Sequence, residues 1–362
     1  METFTKLGGN RRLVDSRDKK FLGSATLTPT QVINKDAFLS PIYYQGQRPA
    51  CGAHAGIWLA RLLTSVPSYT PRFTWIDIKK NGADKNPSDG TDMRSIFASL
   101  LHTGVDDFQP LGNDVSLDDA TYASASAVTQ EMLDTALKTC GFPYHFLDTV
   151  NFDTLKSSIA VNKGELILMQ VGDSMWTAKD GTTSWAEKDV LPLRPPTPVV
   201  DGHFVTCHSY LQITELELGA LESGLLSLGN ILKKYAPDVA QAIGFDEVET
   251  SIQTALLTSP SAMTSGIVIF ANSWGASWGF RGHGYFSENY MPFVLEAGSI
   301  SLPNPSPLPQ NTPVETTSVP STPTTPPTPE NVPETNIEPS VKSQMWYISL
   351  WKFILSILGI LH

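Results

Sequence analysis

The apolar pattern of this chain changes period along its length, and that change limits the folds open to it. In "GAHAGIWLARLLTSV" apolar residues recur at i, i+3, i+4 and i+7, which predicts a buried helix starting at or beside Cys51. "DGTDMRSIFASLLHTGV" sets Asp and Thr ahead of its periodic stretch and Gly104 behind it, a second helix with a start and a stop. "VTQEMLDTALKTCGF" reads as a third, closed by Gly141. Then the period shortens. "GELILMQVG" (164–172), "HFVTCHSYLQI" (203–213) and "SGIVIFANSW" (265–274) are rich in β-branched and aromatic residues, as strands are. Between the last two, residues 215–258 return to helical spacing, enough for two or more helices. Helices first and strands later imply an α+β fold in which a helical layer faces a sheet.

Residues 302–340 are mostly Pro, Thr and Ser with scattered Glu, a composition that buries too little surface to fold; the expectation is a disordered linker over 302–343. An apolar helix over 344–362 is expected to follow. Its run from Met345 to Leu361 would reach about 25 Å, slightly short of a hydrocarbon core of about 30 Å. Three readings stand for it: a short membrane anchor, an in-plane or partner-binding helix, or a helix returning to the globular part. Residues 1–301 form the expected globular domain.

The formal net charge of -11, with no basic stripe, excludes a nucleic-acid backbone as the main partner. Three cysteines (Cys51, Cys140, Cys207) cannot make a disulfide framework. The first twenty residues lack the apolar run of a secretory signal, so the expectation is a cytoplasm-facing chain of microbial or viral type, possible membrane attachment resting on the tail alone.

A thiolate, not a thiol, is the nucleophile, and the N–H groups at a helix N-terminus favour it. Cys51 has that position; its bland alternative is a small buried hydrophobe. A thiolate needs a base, and the base an orienting group. "DGHFVTCHSY" offers His203 on a strand, and "FANSWGASWGF" offers Asn272 at the end of another. An Asn oxygen holding one imidazole N–H fixes the tautomer whose other nitrogen faces sulfur.

The three segments together resemble the papain-like cysteine peptidases. "QGQRPACGAHA" is similar to that family's Gln-Gly…Cys motif, "HFVTCHSY" to its strand opening with the catalytic His, and "NSWGASWGFRGHGYF" to its Asn-Ser-Trp-Gly block, with two extra residues before Gly284-Tyr285. The likeness runs from about residue 9 to about residue 295. It implies a two-lobed fold with a cleft between a helical and a β-rich lobe, and a cysteine endopeptidase acting on polypeptides. In that reading Cys51 is the nucleophile, His203 the base, Asn272 its orienter and Gln45 an oxyanion donor. Trp274 shields the His203–Asn272 pair, and Gly52 stands beside the nucleophile on the substrate side. No metal or other cofactor is implied: Cys51, His54, Cys207 and His208 lack the tight, repeated spacing of zinc ligands. An inactive binding protein on the same fold and a thiol acyltransferase stay open as alternatives.

Departures from the family pattern are visible too. Arg48 stands where relatives carry a disulfide cysteine, Pro49 where they carry Gly, and Gly52 where they carry Trp or Thr. The helical stretch 215–258 is an insertion in what is usually a short hairpin. About 40 residues precede the motif, too few for the family's inhibitory prodomain. Among rival histidines, His208 lies an odd step from His203 and should face away from it. His54 is expected to be partly exposed, and His283 and Trp278 structural.

Overall fold

The computed structural model describes residues 8–11, 18, 20, 31–107, 111–172, 199–259 and 264–302. The chain divides into two compact units, Met1–Pro303 and Asn304–His362. All described residues lie in the first, so the linker and apolar helix expected after residue 302 fall outside them. Among the described residues no helix is long and apolar enough to cross a membrane.

Helices come first. α1 (Lys35–Leu39), α2 (Cys51–Thr64), α3 (Pro71–Asn81), α4 (Met93–His102), α5 (Asp119–Tyr122) and α6 (Gln130–Leu137) build one side of the molecule. The local signals do what the sequence implies. Asp92 caps α4, its carboxylate accepting from the Ser95 N–H at 3.0 Å. Thr129 caps α6 through the Met132 N–H. α3 was not visible as a periodic run, because Arg72, Asp77 and Lys79 interrupt its apolar positions; in the fold all three are buried beside Phe73, Trp75 and Ile76.

Among the described residues the sheet has eight strands: β1 (Gly9–Asn10), β2 (Thr91–Asp92), β3 (Tyr144–Phe146), β4 (Glu165–Gly172), β5 (Val199–Thr214), β6 (Thr264–Ala271), β7 (His283–Ser287) and β8 (Val294–Ile300). β5 is its spine. Antiparallel β4 runs along one edge of β5 from Val199 to Cys207. The other edge carries β1 at Gly202 and β6 from Thr206 to Thr214. His203 to Val205 lie between those two partners, a gap in the edge.

One core joins α2 and α4 to one face of the sheet, with Ile57, Leu59, Ile96, Leu166 and Phe204 at its centre. α2 is buried almost along its whole length. It comes close to α4 because Gly52 and Gly56 carry no side chain: a Cβ on either would sit 2.7 or 2.5 Å from Ile96. The opposite face packs α7 (Phe152–Asn162) through Leu155 and Ile159 against Val205, Val268 and Phe286.

Residues 215–258 form four short helices, α8 (Glu215–Glu222), α9 (Leu228–Tyr235), α10 (Pro237–Ala242) and α11 (Ser251–Thr258), joining β5 to β6. The buried Glu217 carboxylate ties this segment together. It accepts from Lys234 Nζ at 2.6 Å, from Tyr235 Oη at 2.8 Å and from the Thr214 N–H at 2.8 Å. Arg281, on the loop after Asn272, donates to the carbonyl of Ile243 and so ties the segment to that loop.

Candidate active site

Cys51 is the first residue of α2 and is wholly buried. Ala50 at the cap position makes no side-chain cap hydrogen bond, and the positive end of the helix dipole falls at Cys51. β5 passes alongside. Phe204 Cδ2 lies 3.2 Å from where a Gly52 Cβ would stand, so the residues after Cys51 and after His203 pack together. One turn on, Thr206 Oγ1 donates to the Ala55 carbonyl at 2.8 Å.

His203 Nε2 lies 2.9 Å from Asn272 Oδ1. That oxygen also accepts from the Ser273 N–H at 2.7 Å, which identifies it as the amide oxygen. An oxygen here only accepts, so Nε2 carries the proton and the neutral ring keeps its lone pair on Nδ1. Nδ1 is buried and has no hydrogen-bond partner. Burial pushes the imidazole down to about 4, with the Asn272 bond opposing. The Trp274 ring covers this pair, its centroid 4.9 Å from that of His203 and inclined at 32°. Trp278 packs edge-on to Trp274 at 5.4 Å.

Gln45 belongs to the same construction. Its backbone N–H donates to the Ser273 carbonyl at 2.8 Å, and its Oε1 accepts from Ser273 Oγ. Nε2 gives one hydrogen to the Arg48 carbonyl at 2.8 Å and has a second. Ser273 therefore links the loop before Cys51 to the loop that carries Asn272. Spacing marked Gln45 and Asn272 but not this link.

Arg48 is the other residue that sequence reasoning undervalued, having registered it only as a missing cysteine. Its guanidinium lies 3.9 Å from the Tyr122 ring centroid and donates to the carbonyls of Leu117 at 2.6 Å and Val115 at 3.3 Å. The loop before Cys51 is thus pinned by a planar cation.

The remaining expectations divide. His208 is buried against Trp58 and Phe38, with Nε2 3.1 Å from His283 Nδ1, and His283 is its buried structural partner. Cys207 is buried, and Cys140 donates to the Leu137 carbonyl. His54 is not partly exposed, as its helix position implied. It is buried because α2 runs through the interior, its Nδ1 donates to the Ala50 carbonyl at 2.9 Å, and burial lowers it to about 4. Gly52 meets Ile96, Thr91 and Phe204, so its lack of a side chain serves close packing. No group of three or more metal-ligating side chains gathers among the described residues.

No family model matches the sequence, and no curated protein sequence matches it. Solved structures do. Xylellain, a cysteine protease from Xylella fastidiosa, superposes with a TM-score of 0.59 over 84% of this chain and 98% of its own, at 14% identity. A procathepsin B from Trypanosoma congolense gives 0.49 over 83% and 88%, at 10% identity. Digestive procathepsin L 3 of Tenebrio molitor gives 0.48 over 79% and 75%, at 12% identity. The match along nearly all of xylellain gives this chain the α+β fold of the papain-like cysteine proteases.

Proposed function

We propose that this protein is a thiol-dependent peptidase that cleaves polypeptides with Cys51 as nucleophile, His203 as base, Asn272 as orienting group and Gln45 as an oxyanion donor. The observation that carries the reading is the His203 tautomer: Nε2–H bound to Asn272 Oδ1, and an unpartnered Nδ1 lone pair beside the helix that begins at Cys51.

The chemistry follows from that arrangement. Cys51 gives its proton to His203 Nδ1, and the thiolate attacks the carbonyl carbon of the scissile amide. The carbonyl oxygen becomes an oxyanion that accepts from the Cys51 backbone N–H and the second Nε2 hydrogen of Gln45, each typically worth about 3 kcal/mol in the transition state. His203 then protonates the amide nitrogen, the C–N bond breaks, and the amine leaves. Water, deprotonated by the same imidazole, attacks the thioester and releases the acid and the free thiol. Trp274 keeps bulk water off the His203–Asn272 bond, where a lower dielectric strengthens it.

Prolonged incubation with an epoxide-type thiol-protease probe, followed by peptide mapping, tests the assignment. A single adduct on Cys51, absent from Cys51→Ala and strongly reduced in His203→Ala, is expected. An adduct that persists in Cys51→Ala rejects it.

A further inference from the structure

Two stretches that stand out in the sequence, the extra residues before Gly284-Tyr285 and the helical run 215–258, meet in the fold. Phe280 and His283 exchange both backbone hydrogen bonds, at 2.9 and 3.0 Å, so Arg281-Gly282 is a two-residue hairpin turn. Arg281 holds φ +56° and Gly282 φ +87°. Positive φ at both central residues is the geometry for which Asn-Gly, Asp-Gly and Gly-Gly are the usual sequences, because a Cβ in the left-handed region crowds its own main chain. Arginine is an unexpected choice there. The other non-glycine residues with positive φ among the described residues, Ser65 and Lys163, end helices, where that conformation is common; Arg281 does not.

The Arg281 side chain gives the reason. Its guanidinium donates to the carbonyl of Ile243, the C-cap of α10, and the last carbonyls of a helix lack partners within it. The neighbouring Phe280 ring meets Phe245 edge-on, centroids 5.5 Å apart. Phe245 in turn fits against α9 because Gly229 has no side chain: a Cβ there would stand 2.4 Å from the ring. Glycine at position 281 would suit the turn better and hold nothing. From the turn the contact runs to the base. The Gly282 carbonyl accepts from the Asn272 N–H at 2.9 Å, and the Gly282 N–H donates to the Trp278 carbonyl at 2.7 Å. Asn272 Oδ1 then holds His203 Nε2.

We propose that Arg281 is a positioning residue for the His203–Asn272 pair, and that residues 243–245 of the segment between β5 and β6 are its anchor. Held to Ile243, the turn fixes Gly282, and Gly282 fixes the main chain from which Asn272 Oδ1 reaches the ring. The consequence for turnover rests on the peptidase reading above; the mechanical coupling does not. The four helices α8 to α11 thereby act on the site without touching the sulfur or the ring.

The test reads the imidazole separately from turnover. Arg281→Gly keeps the turn, relieves its left-handed residue and removes only the guanidinium. Exchange of the His203 Nε2–H with solvent is followed by NMR in full chains labelled at histidine. At least about tenfold faster exchange is expected in folded Arg281→Gly, since exchange tracks the population of the opened pair. On a quenched-fluorescence peptide kcat should fall about tenfold with KM little changed, because the turn reaches the orienting group and not the substrate. Arg281→Lys, one donor for one acceptor, should recover most of both losses. Phe245→Leu, which leaves the turn's sequence intact, should move the exchange in the same direction and add less than its own effect to that of Arg281→Gly. Exchange equal to that of the unmodified chain in both folded variants would overturn the proposal. Faster exchange in variants of a chain that cleaves no peptide supports the coupling and rejects the peptidase reading. Cleavage at one rate by all the chains, with exchange unchanged, does the reverse.

Discussion

Asn272 Oδ1 receives two hydrogens at once, from His203 Nε2 at 2.9 Å and from the Ser273 N–H at 2.7 Å. The second bond prevents the amide from turning over, so the first always presents an acceptor to the ring. The imidazole is locked in one tautomer by a group that never carries charge.

Asn272→Ala should therefore leave the fold intact and lower kcat by about 100-fold, the lower end of what positioned acid–base chemistry contributes. KM should change little, because the amide touches the ring rather than the substrate. Asn272→Asp should recover part of the rate and shift the acid limb of the pH–rate profile, since a carboxylate stabilises the imidazolium. Steady-state kinetics across pH on a quenched-fluorescence peptide checks both outcomes.

Arg48 bears on stability and on geometry together. Its removal strips donors from the Leu117 and Val115 carbonyls and a cation from the Tyr122 ring. Arg48→Ala should cost about 3 kcal/mol, the scale of leaving buried polar groups without partners. It should also lower kcat, because the Gln45 loop loses its anchor. Arg48→Lys should restore little of either, since an ammonium lacks the planar fork. Urea denaturation and kcat measured on the same preparations test the two effects.

Stability should peak near pH 6.5. Burial holds His54 and His203 near 4 and His283 near 3, below the ordinary 6.5. The unfolded chain takes up protons that these folded rings refuse, so their contribution is full above pH 6.5 and is lost as pH falls. Each should remove about 1.4 kcal/mol per pH unit between about pH 6 and 4.5. Glu165 acts with the opposite sign. Burial raises its carboxyl to about 8 against the Ser158 hydrogen bond, so its contribution is lost as pH climbs from about 4.5 through 8. Denaturation series in Cys51→Ala, where no thiolate holds a proton on His203, should show both limbs. Glu165→Gln should flatten the alkaline limb and steepen the acid one above about pH 4.5.

The parts of the fold that the sequence announced are those in which chemistry and periodicity coincide. Cys51 opens an unbroken apolar helix, His203 sits on a β-branched strand, and Asn272 follows another; each could be placed by local pattern. What escaped depends on pairing at long range. β1 has two residues, too few for any period, and acquires meaning only from Thr91 and Gly202, which lie about 80 and 190 residues further along the chain. Arg48 reads only as a replaced cysteine until Tyr122 and two carbonyls close around it. His54 was misjudged because amphipathicity describes a helix with one wet face, and α2 has none over most of its length. The order of residues 215–258 as four helices around Glu217 was equally hidden, since a buried carboxylate cannot be told from a solvated one without its partners.

The gap in the edge of β5, from His203 to Val205 between β1 and β6, sets a condition on any target. A guest in that slot has to lie alongside a strand, so several of its residues must be stretched out and stripped of their own helical hydrogen bonds. On the proposed peptidase reading, ordered helices in a folded target would have to unravel locally before being cut, whereas slack connectors and tails are ready as they stand.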